Sequence, residues 1–248
     1  MSEISHVTAA PSATQLRSGG DVYTRHRHDD HQLVYVSSGV LATHTAKGAW
    51  VAWPDRAVWI PGGLWHEHRL YGASVVHTVG FPLAETPLPV DVPRVVAVSA
   101  LLRELVIEFT RDSASSEDGA LLRRLIVNRL TIAPVQGLSL PETDEPRLAL
   151  ACSLASEDLS DPIPLNKLAA AVGAGERTLS RLYRTEFGMS YPQWRTNVRI
   201  FHAMIDLAEG CTVTQTAHRN GWPTASAFID TFSRVMGCTP GQYRSASS

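Results

Sequence analysis

The sequence has 248 residues, of which 44% are hydrophobic and 19% charged, and its formal net charge at pH 7 is −2. This composition supports an ordinary core and excludes a largely disordered chain. The three cysteines are too few and too scattered for a disulfide framework or a CxxC zinc site. No apolar run reaches the roughly 18 residues of a membrane span, and the N-terminus lacks the basic start and apolar stretch of a signal peptide. We therefore expect a cytoplasmic protein without a membrane partner.

Charge is distributed unevenly along the chain. The formal net charge is −1 over residues 1–90, −5 over residues 91–161 and +4 over residues 162–248. A mildly basic end on an otherwise acidic chain suggests a division of labour between domains.

The first third of the chain has the pattern of short strands. Runs rich in β-branched and aromatic residues alternate with Gly and Pro turns, at 32–39, 40–50, 56–63 and 73–81. Strands at a spacing of roughly ten residues are typical of an all-β barrel or sandwich.

Histidines in this region form two short motifs. The first is His26-x-His28, with Gln32 four residues further on, and the second is P-x-G-x-x-H, which ends at His66. Residues i and i+2 of a strand share a face, so His26 and His28 can bind one ion together. A histidine from another strand can complete the set.

The spacing of these motifs resembles that of the cupin superfamily of small double-stranded β-helix barrels. The resemblance implies a divalent metal bound by His26, His28, His66 and the residue at position 32, which is usually Glu in cupins and is Gln32 here. Without that charge a hard ion should bind weakly, whereas three imidazoles suit zinc, nickel, copper or iron. Two alternatives stay open, a metal-free pocket for a small organic ligand and a purely structural barrel. We expect the other histidines to be surface or core residues: His31, His44, His68 and His77.

A proline-rich stretch at 82–94 ends the strand pattern, and the hydrophobic period becomes that of a helix. Ser99 can cap a helix over 100–111, and after a polar loop at 112–119 a second helix is predicted over 120–134, ended by a proline. The first helix has an apolar stripe of Leu102, Leu105, Val106 and Phe109.

From residue 147 onward the pattern is one of short helices, predicted at 147–158, 165–172, 176–187, 191–208, 213–220 and 224–236. Glycines that can adopt a positive φ follow three of them: Gly188, Gly210 and Gly237. The segments 165–188 and 213–237 form an internal repeat. In each, a small residue is followed four positions later by a glycine, a turn and a second helix with an apolar stripe. This is the pattern of a helix-turn-helix.

This region resembles the double helix-turn-helix domain of the AraC/XylS family of transcription regulators. The matching stretches are LAAAVGAGERTLSRLYRTEFGMSYPQWRTNVRI and GWPTASAFIDTFSRVMGCTPGQYR. The resemblance covers about residues 162–244 and implies that two recognition helices enter successive major-groove segments on one face of a duplex. On the first helix, the positions that the family uses for base and phosphate contacts are Arg177, Ser180, Arg181 and Arg184. An arginine can bind a guanine edge with two hydrogen bonds.

The second recognition helix departs from the family pattern. Its outward positions include Thr224, Ser226 and Asp230, and the carboxylate of Asp230 stands where the family often has a basic residue. We expect this half to bind more weakly or to recognise DNA shape, with Thr224 as the helix N-cap. Four further residues are either backbone contacts or internal supports: Arg199, Arg234, Tyr243 and Arg244.

The order of these parts resembles a short regulator subfamily and predicts an α+β multidomain protein. It has a cupin-like sensor barrel at 1–92, a helical connector at 93–146 and an all-α double helix-turn-helix domain at 147–248. We expect a sequence-specific transcription regulator that binds a double-stranded operator and responds to a small molecule or a metal. The apolar stripe of the connector is predicted to form a homodimer contact, and the alternative is that it packs on its own barrel.

The second hypothesis is a cupin-type metalloenzyme, a dioxygenase or isomerase, with a helical tail. Gln32 leaves the 2-His-1-carboxylate set of an iron oxygenase incomplete, and the sequence has no P-loop or Gly-x-Ser-x-Gly motif. The chain is therefore predicted not to be an enzyme.

Overall fold

The computed structural model describes residues 4–85, 88, 90–113, 117–132 and 138–247. The chain divides into two compact units, one of Met1–Gly137 with Arg244–Ser248 and one of Leu138–Tyr243. Among the described residues, no helix has the length and apolar character needed to cross a membrane. A strand-rich unit followed by a helical one confirms the predicted fold class, a cupin-like barrel with a helical helix-turn-helix module.

The strands of the first unit form a mixed sheet. They are β1 (Ser5–Val7), β2 (Ala13–Arg17), β3 (Val22–His28), β4 (His31–Thr45), β5 (Gly48–Ala52), β6 (Arg56–Ile60), β7 (His66–Phe81), β8 (Arg94–Ala97) and β9 (Thr131–Ile132). Hydrogen-bonded neighbours follow the order β1-β3-β7-β4-β6-β8-β9, and β2 also pairs with β7 and β5 with β4. The antiparallel pair β3–β7 brings the first histidine motif next to the second.

Strand β4 is a single long strand where the sequence predicts two. The register between β4 and β7 shifts around Gly39, whose φ is +76°. A Cβ at this position would collide with the side chain of Ser74. Gly39 therefore bends a continuous strand at a bulge instead of ending it, as glycine can at little steric cost.

The connector consists of α1 (Ala100–Glu108), a π-helical turn (Phe109–Ser113) and α2 (Glu117–Arg129). Ser99 caps α1 as predicted, because its side chain accepts a hydrogen bond from the Leu102 N–H at 3.2 Å. Helix α2 ends before the predicted position 134, since Thr131–Ile132 pair with β8 as a strand. Pro134, the predicted helix stop, lies outside the described residues.

The apolar stripe of α1 packs on the barrel of its own chain. It shares one buried cluster with side chains from the sheet, namely Leu33, Tyr35, Trp59, Val79 and Phe81. The prediction that this stripe is the dimer contact is therefore wrong, because its side chains are already covered. A homodimer stays a prediction, and the large apolar side chains still exposed on these helices are Leu101, Leu121 and Leu125.

The helices after residue 138 follow the sequence pattern closely. They are α3 (Pro146–Glu157), α4 (Leu165–Ala171), α5 (Glu176–Phe187), α6 (Tyr191–Ala208), α7 (Val213–Arg219), α8 (Ala225–Met236) and α9 (Pro240–Ser247), preceded by the short strand β10 (Ser139–Pro141). The bounds of α3 to α8 agree with the predicted ones to within a residue, whereas α9 was not predicted. The three glycines expected after helices have positive φ, as predicted: Gly188, Gly210 and Gly237.

Hydrogen bonds of His77 on β7 connect the π-helical turn to the sheet. Its Nδ1 lies 2.9 Å from Thr110 Oγ1 and 3.1 Å from Thr14 Oγ1, and its Nε2 lies 2.9 Å from Ser37 Oγ. Thr110 donates its own proton to the Val106 carbonyl at 2.8 Å. His77 Nδ1 is therefore the donor to Thr110, and Nε2 accepts from Ser37.

We expect the free energy of unfolding to fall as the pH falls from 7 to 5, in part through His77. Burial, with smaller contributions from Arg111 and Arg103, lowers the pKa of this imidazole from 6.5 to about 4. At a pH between 6.5 and 4, the imidazole is protonated in the unfolded chain but neutral in the folded chain. Protonation of His77 in the unfolded chain therefore lowers the free energy of unfolding by about 2 kcal/mol as the pH falls from 7 to 5.

Chemical denaturation of His77→Gln should show a pH dependence smaller by that amount, because an amide can both donate and accept without titrating. His218→Gln removes an exposed histidine and serves as the control. A pH dependence of His77→Gln equal to that of the wild type would contradict this assignment.

Candidate DNA-binding face and histidine cluster

The helix pairs α4–α5 and α7–α8 both have helix-turn-helix turns. Ala169 and Ala217 are buried, and Gly173 and Gly221, four residues after them, have φ of +65° and +74°. A buried alanine lets two helices approach closely, and glycine adopts a positive φ without steric cost. The structure thus confirms the internal repeat.

Helix α5 exposes a row of arginines. Arg177, Arg181 and Arg184 are exposed, and Ser180 between them is half-buried. The four side chains, with Thr178, line one surface concavity. The opposite side of the helix is buried, with Leu179, Leu182, Tyr183 and Phe187. Spacings of three and four residues keep the guanidinium groups on one helix face.

Helix α8 exposes a face of mixed charge. Ser226, Asp230 and Arg234 are exposed. Thr224 is the N-cap, as predicted, since its Oγ1 accepts from the Ala227 N–H at 3.1 Å. The negative charge of Asp230 offsets the positive charge of Arg234 on this face. The two helices therefore differ in charge, and α5 is the more basic.

Four histidines come together where β3 pairs with β7. His26 lies opposite His66 in the register, and their ring centroids are 4.3 Å apart. The ring of His28 is 4.8 Å from that of His66, and the ring of His68 is 5.1 Å from it. Ligand nitrogens of His26, His66 and His68 all lie within 4.8 Å of one another, so this group could hold a metal ion.

Hydrogen bonds at Nδ1 orient these rings. The acceptors for His26, His28 and His66 are the carbonyl oxygens of Thr24, Asp30 and Leu64, at 2.8, 2.7 and 3.0 Å, and Nδ1 of His68 lies 3.0 Å from the Thr43 hydroxyl. A carbonyl oxygen only accepts, so Nδ1 carries the proton and Nε2 presents a lone pair. Metal-bound histidines in proteins are usually oriented in this way.

Several acceptor atoms in the cluster are buried without a partner. Nε2 of His28, Nε2 of His66 and Oε1 of Gln32 have no hydrogen bond to any described residue. An unpaired buried acceptor costs free energy. A cation bound by these lone pairs would remove that cost.

Burial keeps the imidazoles of His28, His66 and His68 neutral. It lowers the pKa of His66 to about 3 and that of His68 well below its ordinary value, and the neighbouring histidines add to both effects because like charges repel. Burial also lowers the pKa of His28. Neutral imidazole is the form that binds a metal ion.

The structure brings the sequence-predicted residues His26, His28 and His66 into one cluster, and the side chain of Gln32 lies beside His28. His68, expected to be a surface or core residue, joins them. His66-x-His68 repeats the spacing of His26-x-His28, and this repetition is the sequence signal that could have found it.

Two protein-family models match the chain. The AraC-like ligand binding domain matches residues 12–126, and a helix-turn-helix domain matches residues 168–246. The HTH-type transcriptional regulator NimR of Escherichia coli (strain K12) is 28% identical over 233 residues, which are 92% of this chain and 85% of NimR. An uncharacterised HTH-type transcriptional regulator of Staphylococcus aureus (strain MSSA476), SAS0078, is 36% identical over 89 residues, but these are only 11% of its length.

Two solved structures are also similar to parts or all of the chain. The DNA-binding domain of AdpA, in complex with a target DNA, is 30% identical, with a TM-score of 0.38 over 40% of this chain and 91% of that domain. ToxT of Vibrio cholerae is 10% identical, with a TM-score of 0.42 over 96% of this chain and 99% of ToxT.

Proposed function

The chain is a transcriptional regulator with an AraC-type helix-turn-helix domain and an AraC-like ligand-binding domain, and we propose that it binds an operator through α5 and α8. In this proposal residues 1–92 form the sensor barrel, residues 93–146 the connector and residues 147–248 the DNA-binding domain. The protein acts in the cytoplasm on double-stranded DNA.

The row of arginines on α5 is the observation that carries the proposal. Arg177, Arg181 and Arg184 are exposed on one face, in a region that matches a helix-turn-helix domain. With Ser180 they contact base edges and phosphates of one major-groove segment. On α8, Thr224, Ser226 and Asp230 face the second segment and contribute less to affinity.

The barrel senses a divalent transition metal held by His26, His66 and His68. Support comes from the closeness of their nitrogens, the hydrogen bonds at Nδ1 of His26 and His66, and the depressed pKa values of His66 and His68. His28 and Gln32 stand beside this set as further donors. Imidazole ligands suit zinc, nickel, copper or iron better than magnesium or calcium, which prefer oxygen. A coordination position left open would let a small-molecule effector bind the ion directly.

The histidine cluster is the one observation that supports the second candidate, a cupin-type dioxygenase or isomerase. Non-haem iron oxygenases typically use two histidines and one carboxylate, whereas the three proposed ligands here are imidazoles. A metalloenzyme would also leave the exposed arginines of α5 without a role. We therefore favour a regulator without enzymatic activity.

Arg181→Ala should weaken binding to an operator selected by the wild-type chain by about 1–3 kcal/mol and relax the preference for one base pair. The reason is the loss of a bidentate contact that no neighbour can replace. Fluorescence anisotropy with the selected duplex and its single-base variants measures both effects. Arg147→Ala removes an equal charge from an exposed site on α3 and is the matched control. Equal losses for the two variants would show that net charge alone matters.

Asp230→Arg should tighten binding to a nonspecific duplex and steepen the salt dependence of log K by about one unit, since one more phosphate is neutralised. Glu209→Arg makes the same charge change at an exposed site after α6. Salt titrations of both variants and the wild type give the slopes. If the slope for Asp230→Arg matches that of the wild type, Asp230 lies away from the DNA.

Full-length, untagged protein that has been treated with a chelator should bind one Co²⁺ or Zn²⁺ ion per chain, with metal–nitrogen distances of about 2.0–2.2 Å. The visible absorption of Co²⁺ and X-ray absorption spectroscopy report the ligands. His66→Gln and His68→Gln should abolish binding and leave nonspecific DNA binding intact, whereas His218→Gln changes neither. Protons should compete with the metal at His66 and His68 only well below pH 6.5, because burial keeps both imidazoles neutral and ligation needs the neutral form.

His28→Gln measures whether His28 is a ligand or only a neighbour of the metal-binding set. Wild-type protein that binds no divalent transition metal under these conditions would disprove the metal proposal and favour an organic ligand in the same pocket.

A further inference from the structure

Two arginines of α6, four residues apart, each bind a different helix-turn-helix module. Nη2 of Arg195 donates to the Leu159 carbonyl at 2.6 Å, in the segment that leads into the first module. The guanidinium of Arg199 lies 3.8 Å from the ring centroid of Trp222, and its Nε donates to the Asn220 carbonyl at the turn of the second module. Residues i and i+4 lie on one face of a helix. One face of α6 therefore holds both modules.

Gly221 brings the two modules into backbone contact. A Cβ on Gly221 would lie 2.7 Å from Ser160 Cα and would collide with the Leu159 carbonyl, the group that accepts from Arg195. Gly173 is the equivalent turn glycine of the first module, and a Cβ there would meet none of the described atoms within 4 Å. Both glycines thus have a positive φ, but only Gly221 lies against the backbone of the other module.

The guanidinium groups of both arginines are used in these contacts between α6 and the modules, so they are poorly placed to bind DNA. Nε of Arg195 and Nη2 of Arg199 are buried and have no hydrogen-bond partner within the described part of the chain. Burial, with the nearby charge of Arg195, lowers the pKa of Arg199 to about 10. Asp206 of α6 also accepts from Asn220 Nδ2 at 2.7 Å, so α6 holds Asn220 by its side chain and its carbonyl.

We propose that Arg195, Arg199 and Gly221 are positioning residues that fix the distance between α5 and α8, and with it the spacing of the two half-sites that one chain can bind. This inference rests on the proposed binding of DNA by both helices. One inserted base pair moves a half-site by about 3.4 Å and turns it by about a tenth of a turn. A rigid pair of recognition helices cannot follow that displacement.

The test is the dependence of affinity on half-site spacing. The full-length wild-type chain selects a duplex from a random pool, and duplexes with one base pair inserted between the mapped half-sites are then compared. We expect the wild type to lose about 30-fold in affinity, roughly the effect of a mismatched base pair. Gly221→Ala should lose less than about fivefold, because the added methyl group separates the modules. Its affinity for a duplex with only the first half-site should equal that of the wild type.

Gly173→Ala is the matched control, since it strains the same backbone conformation without touching the other module. It should keep the wild-type ratio between the two spacings. Arg195→Met removes the donor to Leu159 but keeps a long side chain, so it provides a second variant with the same expected change as Gly221→Ala.

Equal spacing ratios in the wild type, Gly221→Ala and Arg195→Met would overturn the proposal, as would wild-type binding that is indifferent to spacing. A wild-type chain that selects no duplex at all would overturn the proposed function as well. The two failures are therefore distinguishable.

Discussion

The side chains of α6 belong to both helix-turn-helix modules, and the geometry of the DNA-binding unit depends on that division. The first half of the helix places Tyr191, Trp194 and Val198 in the core of the first module. Its second half, which contacts α7, buries Ile200, Phe201, Ala203, Met204 and Leu207. A helix of 18 residues is a stiff rod about 27 Å long. Because each module packs on this rod, the positions of α5 and α8 follow from buried side chains of α6.

In the first unit the comparable constraint is the register between β3 and β7. That register sets His26 opposite His66 and brings two i, i+2 histidine pairs to one place. Burial there removes water from His28, His66 and His68, so these three rings stay neutral and their lone pairs stay available. The result is a group of histidine nitrogens close enough together to hold a metal ion. The carbonyl groups that accept from Nδ1 belong to residues two positions away in sequence, so the orientation of the rings is a local property, whereas their convergence is not.

Structural features set by residues close together in sequence were predictable from the sequence. Features set by contacts between segments far apart in sequence were not. Helix starts could be predicted from the caps Ser99 and Thr224, and helix ends from the glycines that follow helices. Each of these residues acts within one helical turn of its own position. Gly39 is different, since only β7 determines whether a glycine there ends a strand or bends it. The stripe of α1 is apolar whichever surface covers it, so its partner, the barrel, could not be deduced from periodicity. His68 has the same spacing to His66 as His28 has to His26, but its place in the cluster depends on a strand pairing between distant segments.

We propose that α5 and α8 of one chain bind one face of a DNA duplex. Hydroxyl-radical footprinting of the full-length protein on a duplex selected from random sequence tests it most directly. We predict protection on one face of the duplex, in two stretches about ten base pairs apart, that disappears steeply as salt is raised. Protection spread evenly along the duplex, or binding without sequence enrichment and without salt dependence, would contradict the claim.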